Sequence, residues 1–180
     1  LEDFSPYISL TYSRDNMHFL VTGHTGFKGT WLTAMLLAEG HVVSGISLEP
    51  EDKSLFIQTD LASRLEHDFR FDIRNQSQVL SAFEKVQPEV VVHLAAQPLV
   101  RKSYLEPVFT FETNILGTLN ILNAISQVKS IKASLIVTTD KVYRDTNQRI
   151  PYLEADPLGG SDPYSASKSA ADSLTQSWLK

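Results

Sequence analysis

A glycine-rich stretch at residues 23–29 constrains this chain more than any other feature of its sequence. It reads Gly-His-Thr-Gly-Phe-Lys-Gly, with a short apolar run before it at 17–21 and residues of helical composition after it at 30–38. Strand, glycine turn and helix in that order are the context that a dinucleotide-binding fingerprint requires. We expect the first glycine to allow the tight turn, the second to admit a pyrophosphate, and the third to let helix and strand pack closely.

Exposed backbone N–H groups at the start of the following helix would then face the phosphates of a dinucleotide. The spacing is G-x-x-G-x-x-G rather than G-x-G-x-x-G, so the glycines alone also fit a loop without a ligand. The flanking strand and helix favour the binding interpretation. The cofactor contacts predicted in this turn are Gly23, Thr25, Gly26, Phe27 and Lys28.

Composition excludes several classes of protein. The 180 residues suffice for one domain with a core, and 42% hydrophobic residues are ordinary for a globular protein. The absence of cysteine excludes disulfides, thiolate metal sites and cysteine nucleophiles, and we predict no metal site. The net charge of −5 gives no indication of a nucleic-acid or membrane partner. No run approaches the ~20 apolar residues that span a bilayer, and no secretory signal is recognisable, so we expect a cytoplasmic protein.

Strand patterns alternate with helical patterns along the chain. Strands are predicted near 17–21, 41–47, 68–73, 90–96 and 133–138, and helices at 30–38, 76–86 and 107–128. This alternation predicts an α/β fold with a doubly wound parallel sheet of the Rossmann type. The segment 53–65 fits either a short helix or a loop over a cofactor.

The helix predicted at 107–128 carries an apolar stripe that should be buried. Asn114 lies within this helix, where asparagine is normally unfavourable, so we expect its side chain to bond a neighbouring loop. For His93, embedded in an apolar strand, a hydrogen-bonded core histidine is favoured over a catalytic one. The members of the stripe are Phe111, Ile115, Leu119, Leu122 and Ile125.

Further candidate cofactor contacts follow the third and fourth strands, because ligands of parallel sheets bind at carboxyl strand ends. Asp72, which Ile73 follows, could accept a hydrogen bond from an adenine amino group or could instead cap the helix that begins near Asn75. After the fourth strand, small side chains leave room for a cofactor to lie across the sheet. These contacts are Leu94, Ala95 and Ala96.

The end of the second strand bears on the choice of cofactor. An acidic residue is expected there for the adenosine ribose, but Ser47 occupies the position. Glu49, two residues later, is either a ribose ligand or part of a solvated loop. No arginine is present for a 2′-phosphate, which favours NAD over NADP.

A tyrosine and a lysine four residues apart form the predicted catalytic pair. Pro163 suits the first turn of a helix, so Tyr164 and Lys168 should share one helix face. The ammonium would lower the tyrosine pKa from about 10. The tyrosine could then take a proton from a substrate hydroxyl as the carbon loses hydride to a nicotinamide. A surface Tyr–Lys pair is the alternative.

Several longer motifs carry a family resemblance. They are VTGHTGFKGTWL at 21–32, PEVVVHLAAQPLVRKSY at 88–104, TNILGT at 113–118, TTDKVY at 138–143 and DPLGGSDPYSASK at 156–168. On these motifs the chain resembles the extended short-chain dehydrogenase/reductase superfamily and, within it, the CDP-glucose 4,6-dehydratase family. The resemblance implies an enzyme with bound NAD that removes water from a nucleotide sugar, CDP-glucose, without net oxidation.

The resemblance also implies roles for five residues. Tyr164 would be the base on the sugar 4-hydroxyl, Lys168 would assist it and hold the nicotinamide ribose, and Thr139 would bond the same sugar oxygen. Asp140 would be the acid for the departing 6-hydroxyl. Lys141 stands where related dTDP-glucose dehydratases carry a glutamate base, and it would need burial or a nearby cation to act as a neutral base.

The resemblance implies a second, C-terminal substrate domain; the 180 residues end within their last predicted helix, so we expect that domain to be absent from them. We therefore expect a leader or N-terminal arm at 1–16, with Met17 as a candidate natural start, and a truncated NAD-binding domain at 17–180. In the family, the helices around 107–128 and 162–180 would form a four-helix interface of a homodimer.

Two other functions stay open. The chain could belong to a sugar-nucleotide epimerase, although Asp140 and Lys141 favour dehydration because an epimerase needs no acid for a 6-hydroxyl. It could also be a dinucleotide-binding module without turnover. Because the substrate domain is expected to lie outside these 180 residues, the sequence predicts neither the nucleotide nor the sugar specificity.

Overall fold

The computed structural model of the chain describes residues 16–145 and 150–178. The leader or arm expected at 1–16 lies, apart from Asn16, outside the described residues. Among the described residues, no helix has the length and apolar character needed to cross a membrane.

Within residues 16–145 and 150–178, five parallel strands form a single sheet. They are β1 (His18–Thr22), β2 (Val42–Ser47), β3 (His67–Arg70), β4 (Val90–His93) and β5 (Ala133–Ile136). Their order in the sheet is β3-β2-β1-β4-β5, so the direction of winding reverses between β1 and β4. The doubly wound parallel fold predicted from the sequence is confirmed, and the reversal opens a crevice at the carboxyl ends of β1 and β4, where ligands of such sheets bind.

In the part of the chain that the structure describes, seven helices connect and follow the strands. They are α1 (Phe27–Ala38), α2 (Leu55–Gln58), α3 (Gln76–Val86), α4 (Val100–Leu105), α5 (Pro107–Phe111), α6 (Thr118–Gln127) and α7 (Pro163–Trp178). A π-helical segment, Glu112–Gly117, joins α5 to α6 into one continuous helix. The segment 53–65, ambiguous in sequence, contains α2 and a 3₁₀ turn at Leu61–Arg64.

The sheet is covered on both faces, as a parallel sheet requires. Side chains alternate along β1, so Leu20 contacts one cluster and Phe19 and Val21 contact the other. The first cluster includes Phe83 of α3 and Ile121 of α6. The second is covered by partly buried leucines of α1: Leu32, Leu36 and Leu37.

The apolar stripe predicted on the helix at 107–128 is only partly buried. Leu122 is buried, but Phe111 is exposed, and the other three members are intermediate. A π-helical segment has more residues per turn than an α-helix, so a stripe drawn at α-helical spacing drifts off the buried side. That buried side is instead largely polar over its first half, where it faces α7 and the loop after β4: Thr110, Thr113, Asn114, Gly117 and Thr118.

Candidate active site

The turn after β1 needs glycine at two positions. Gly23 has a φ of +75°, and a Cβ there would lie 2.8 Å from the backbone nitrogen of Ala95. A Cβ at Gly29 would overlap the carbonyl oxygen of Gly23. The turn therefore lies close to α1, as the spacing of the glycines predicts, and also close to the loop after β4.

The start of α1 leaves its N–H groups available. Gly26 is the N-cap residue, and no side chain caps the helix there. The Thr30 N–H donates to the Gly26 carbonyl oxygen at 2.8 Å, but the N–H groups of the first turn have no partner within an α-helix. Together with the helix dipole, they form an environment suited to a phosphate.

A cavity of about 720 Å³ lies at the carboxyl ends of β1 and β4, beside this turn. Of the predicted cofactor contacts only Thr25 is missing from its lining; its hydroxyl instead contacts the Ser47 hydroxyl at 2.6 Å and the Leu48 carbonyl oxygen at 3.1 Å. The contacts that do line the cavity are Gly23, Gly26, Phe27, Lys28, Asp72, Ile73, Leu94, Ala95, Ala96, Tyr164 and Lys168.

The acidic residue that lines the cavity after β2 is not the one considered as a ribose ligand from the sequence. Ser47 lines the cavity, whereas Glu49 is exposed and lies outside the lining. Glu51, which the sequence analysis did not single out, does line it. No arginine is among the described lining residues, which agrees with the predicted preference for NAD.

Asp72 is held by Arg74. The Arg74 backbone N–H donates to Asp72 Oδ1 at 2.9 Å, and its guanidinium donates to Oδ2 at 2.8 and 3.0 Å. Burial raises the pKa of the Asp72 carboxyl, but the bonds from Arg74 outweigh it and leave the pKa below its usual value. The capping alternative is wrong, because Asn75 is the N-cap residue of α3 and accepts from the Gln78 N–H at 3.2 Å.

Lys168 and Tyr164 lie on one face of α7, and both line the cavity. Asp162 stabilises the start of this helix by accepting from the Ser165 N–H at 3.0 Å and from its hydroxyl at 2.6 Å. Lys168 is only 4% exposed, and its ammonium donates to the Val137 carbonyl oxygen at 2.8 Å. Burial lowers the pKa of Lys168 to about 8, since the opposing attraction of Asp172 is weaker.

The expected lowering of the Tyr164 pKa by Lys168 is wrong. Burial raises the pKa of the phenol, a hydrogen bond with the Thr139 side chain lowers it, and the charges of Asp140 and Asp162 raise it. The net direction is upward. The reason is that the Lys168 ammonium lies against the Val137 carbonyl, while the charged groups that act on the phenol are carboxylates.

Asp140 and Lys141 lie in a 3₁₀ turn after β5, Asp140–Val142, and Thr139 is its N-cap residue. The Thr139 hydroxyl donates to Asp140 Oδ1 at 3.0 Å and accepts from the Lys141 N–H at 3.4 Å. None of the three lines the cavity, and Asp140 and Lys141 are exposed. The structure thus brings Thr139 to Tyr164, but the described residues do not supply the burial that a neutral lysine base needs.

Asn114 connects two parts of the site. Its Oδ1 accepts from the Gln97 N–H at 2.8 Å, and its Nδ2 donates to the Gln97 carbonyl oxygen at 3.2 Å and to the Ser167 hydroxyl at 2.9 Å. The predicted bond from Asn114 to a neighbouring loop is confirmed. The loop after β4 is thereby tied to the helix that carries Tyr164 and Lys168.

Thr113 is a site residue that the sequence analysis missed. In the same continuous helix, the Thr110 hydroxyl donates to the Glu106 carbonyl at 2.9 Å and the Thr118 hydroxyl to the Asn114 carbonyl at 2.7 Å. The Thr113 hydroxyl is buried with no partner among the described residues, and Thr113 lines the cavity. A buried hydroxyl without a partner costs about 1–3 kcal/mol, so this one is suited to a ligand. Only its place in the TNILGT motif could have indicated it.

His93 is a core histidine, as predicted. Its Nδ1 lies 2.6 Å from the Thr22 hydroxyl and its Nε2 lies 3.1 Å from the Thr118 hydroxyl. Burial, with a smaller effect of the Lys168 charge, lowers the pKa of His93 to about 3. The imidazole is therefore neutral at pH 7 and joins β1, β4 and α6 beneath the cavity.

Known proteins resemble this chain over most of its length. The family model described as GDP-mannose 4,6 dehydratase matches residues 20–180. The CDP-glucose 4,6-dehydratase of Salmonella typhimurium is 43% identical over 153 residues, which cover 84% of this chain and 42% of that protein. A probable dTDP-glucose 4,6-dehydratase of Sinorhizobium fredii is 32% identical, with 91% of this chain and 49% of that protein covered.

Solved structures share the fold. The UDP-glucose 4-epimerase of Thermus thermophilus, in complex with NAD, superposes with a TM-score of 0.78 at 31% identity, covering 90% of this chain and 50% of that one. The chain spans about half the length of the curated relatives it matches.

Proposed function

Since this chain belongs to the GDP-mannose 4,6-dehydratase family, we propose that it is the NAD-binding part of a sugar-nucleotide 4,6-dehydratase that acts on CDP-glucose. One observation carries the proposal: the glycine turn, Asp72 and the Tyr164–Lys168 pair meet around a single cavity at the switch point of the sheet. The 43% identity to a CDP-glucose 4,6-dehydratase supports the choice of sugar nucleotide. We assign the NAD-binding domain to residues 17–180.

The lining of the cavity offers polar groups that suit the parts of NAD. The N–H groups at the start of α1 would receive the pyrophosphate, the Asp72 carboxylate would accept from the adenine, and the Thr113 hydroxyl would gain a partner. Lys168 would hold the nicotinamide ribose. When bound, NAD would supply the redox chemistry, taking hydride from sugar C4 and returning it at C6.

Tyr164 would remove the proton from the sugar 4-hydroxyl. Its phenol, half-buried at the cavity and hydrogen-bonded with Thr139, would act as the general base on that hydroxyl. Because carboxylates and burial raise its pKa, Tyr164 needs a positive charge in the loaded site to act at neutral pH. We propose that the buried Lys168 ammonium, one helical turn away, supplies this charge in the loaded site once it leaves the Val137 carbonyl oxygen that it bonds in this structure.

Two residues in the turn after β5 would catalyse the loss of water. Asp140 would protonate the departing 6-hydroxyl, and Lys141 would take the proton from C5, which the 4-ketone makes acidic. Both side chains are exposed among the described residues, so the proposal includes a covering surface over them in the whole protein. That surface would exclude water and allow Lys141 to lose its proton.

A homodimer is a further part of the proposal. The helix pair α4–α5 and the π-helical segment expose large apolar side chains in a short stretch, a pattern typical of protein interfaces. We propose that this face packs against a second copy. The exposed side chains are Tyr104, Leu105, Val108, Phe111 and Leu116.

The test is mass spectrometry of CDP-glucose after incubation with the protein and NAD, together with calorimetry of NAD binding. Loss of one water from the sugar nucleotide is the expected result for the whole protein. If the 180-residue chain binds NAD but does not remove water, the result would support the proposal that it is the cofactor-binding part of an enzyme and needs a further domain for turnover. Failure to bind NAD would contradict the proposal.

A sugar-nucleotide epimerase is the second candidate, favoured by the similarity to a UDP-glucose 4-epimerase structure. An epimerase would return a sugar nucleotide of unchanged mass with inverted C4, which NMR of the product distinguishes. The pairing of Asp140 with Lys141 at the strand end is the feature that favours dehydration. The cytoplasmic location stays a prediction.

A further inference from the structure

His24, the second residue of the glycine turn, is buried completely and has no role in the chemistry described above. Its imidazole lies between the turn and the β2–β3 side of the sheet. Nε2 lies 2.9 Å from Oδ1 of Asp68 on β3, and the ring contacts Phe56 of α2 edge to face, with 5.3 Å between centroids. A loop residue at a ligand turn thus has its side chain anchored in the sheet.

Gly45 of β2 makes the space for this imidazole. A Cβ at position 45 would overlap Nδ1 and Cγ of the His24 ring. Since β2 is a central strand between β1 and β3, its backbone cannot move aside without disturbing the sheet. His24 and Gly45 are therefore complementary in shape, and any side chain at position 45 would push the turn outward through His24.

Asp68 is itself held in place. Arg70 donates to Asp68 Oδ2 at 2.6 Å and lies over the Phe56 ring at 5.0 Å. Burial raises the pKa of the Asp68 carboxyl, but His24 and Arg70 outweigh it, so the pKa is lowered and the group is a carboxylate at neutral pH. The acceptor that His24 meets is therefore charged and fixed in position.

The main chain of His24 is restrained as well. The Thr30 hydroxyl of α1 donates to the His24 carbonyl oxygen at 3.2 Å. Its neighbour Thr25 bonds Ser47 and the Leu48 carbonyl after β2. The stretch between Gly23 and Gly26 is thus fixed from three sides, although glycines are the most flexible residues of a chain.

This anchoring has a cost in the protein without ligand. Nδ1 of His24 is buried and has no partner among the described residues. Whether the ring is neutral or protonated, one polar nitrogen stays unsatisfied, which disfavours burial. The contact with Asp68 is the interaction that offsets this cost.

We propose that His24 is a positioning residue for the cofactor: through Asp68 and the space at Gly45, it holds the glycine turn where the N–H groups of α1 receive the pyrophosphate. The inference rests on the proposed binding of NAD at this turn. It goes beyond that function because it says which residues hold the turn in position: His24 in the turn itself, Gly45 on β2 and Asp68 on β3.

The test compares NAD binding, by calorimetry, with thermal unfolding of the same variants without NAD. We expect His24→Ala and Asp68→Asn each to weaken NAD binding by about tenfold or more, the size expected for a lost hydrogen bond to a charged group. Gly45→Ala should weaken NAD binding by a similar factor, because its added methyl group would displace the His24 ring. The control is His67→Gln on β3, since His67 also has a buried Nδ1 without a partner among the described residues but lies away from the turn. It should bind NAD like the wild type.

A double variant separates positioning from general damage. If Gly45→Ala acts by displacing the His24 ring, it should cost little further affinity, less than about twofold, in a His24→Ala background, since the added methyl then occupies vacated space. Equal additional loss in both backgrounds would overturn the proposal. Should His24→Ala not fold, the size-matched Asp68→Asn variant carries the same expectation for affinity.

Two further results would also overturn the proposal. In one, folded His24→Ala and Asp68→Asn proteins bind NAD as tightly as the wild type and differ only in unfolding temperature, which would leave His24 a purely structural residue. In the other, His67→Gln weakens binding as much as His24→Ala. Absence of NAD binding by the wild type is a separate outcome, because it would remove the proposed function itself.

Discussion

The ammonium of Lys168 donates a hydrogen bond to the carbonyl oxygen of Val137, 2.8 Å away, where β5 ends. Because the helix α7 supplies the lysine and the sheet supplies the carbonyl, this bond fixes the helix face that also presents Tyr164 to the cavity. The same burial that makes the bond possible lowers the pKa of Lys168 to about 8. The charge of a central site residue therefore changes in an experimentally accessible pH range.

NAD affinity should depend on this charge. The ammonium is lost as pH rises through about 8, so if the charged form binds the cofactor, affinity should fall by about tenfold between pH 7 and pH 9. Lys168→Arg keeps the charge over this range and should give a flatter profile, even if its affinity at pH 7 is lower. Calorimetry at several pH values measures both, and parallel profiles would contradict the role of the ammonium.

Tyr164→Phe in the whole protein should stop the first chemical step. Removing the phenol oxygen removes the proposed general base, which contributes about 10²–10⁴-fold to rates, while the ring still fills its place beside the cavity. Reduction of bound NAD on addition of CDP-glucose, followed by absorbance, should be lost, and NAD affinity should change by less than about threefold. Tyr143→Phe, at the stacked Tyr143–Tyr152 pair outside the cavity lining, is the control. Normal turnover by Tyr164→Phe would refute the assignment.

Lys141→Met in the whole protein should affect a later step. Since Lys141 is proposed to act at C5 after the 4-ketone forms, the variant should still reduce its bound NAD on mixing with CDP-glucose but should not release water. Rapid-mixing absorbance and product mass spectrometry report the two steps separately. The exposed Lys129 provides a matched Lys129→Met control. If Lys141→Met fails to reduce NAD, Lys141 acts earlier than proposed.

Thr113→Val should change stability and affinity in opposite directions. Valine has nearly the same shape and removes a buried hydroxyl that has no partner among the described residues, so unfolding without NAD should cost about 1 kcal/mol more. NAD binding should weaken by about fivefold because one hydrogen bond is lost. Thr113→Ser keeps the hydroxyl and should bind nearly normally. Unchanged affinity in Thr113→Val would show that the hydroxyl does not meet the cofactor.

His93 should make the fold sensitive to acid. Its pKa falls from an ordinary 6.5 to about 3 in the folded chain, so between these values the unfolded state binds a proton that the folded state does not. Stability should therefore decrease as pH falls below 6.5, by up to about 1.4 kcal/mol per pH unit. His18, whose pKa is also lowered by burial, contributes in the same direction.

Urea unfolding at pH 7, 6, 5 and 4 checks this prediction. A His93→Gln variant, less stable at pH 7 because two threonine contacts change, should lose less stability per pH unit than the wild type. Asp68, Asp72 and Asp162 have lowered pKa values, and their stabilisation is lost at still lower pH. Equal slopes for the two proteins would mean that His93 is not the titrating group.

Features that depend on neighbours in the chain could be predicted from the sequence. The alternation of strand and helix patterns predicted the parallel sheet, the glycine spacing predicted the close turn at Gly23 and Gly29, and the four-residue spacing placed Tyr164 and Lys168 on one face of α7. Each depends on the period of a strand or helix or on the size of one residue, and these are local properties. Asn114 belongs here too, since its unfavourable place in a helix indicated a partner outside it.

Distances between elements and burial were decided only by the tertiary structure. The sequence alone determined which residue types stand at the carboxyl strand ends, but not that Glu51 rather than Glu49 reaches the cavity or that the Thr113 hydroxyl stays without a partner among the described residues. The π-helical segment moved the buried side of its helix away from the apolar stripe. The pKa of Tyr164 is raised, whereas the sequence predicted that Lys168 would lower it. The shift depends on which charged groups lie nearby and on how much water is excluded, and both are set by residues far apart in the chain.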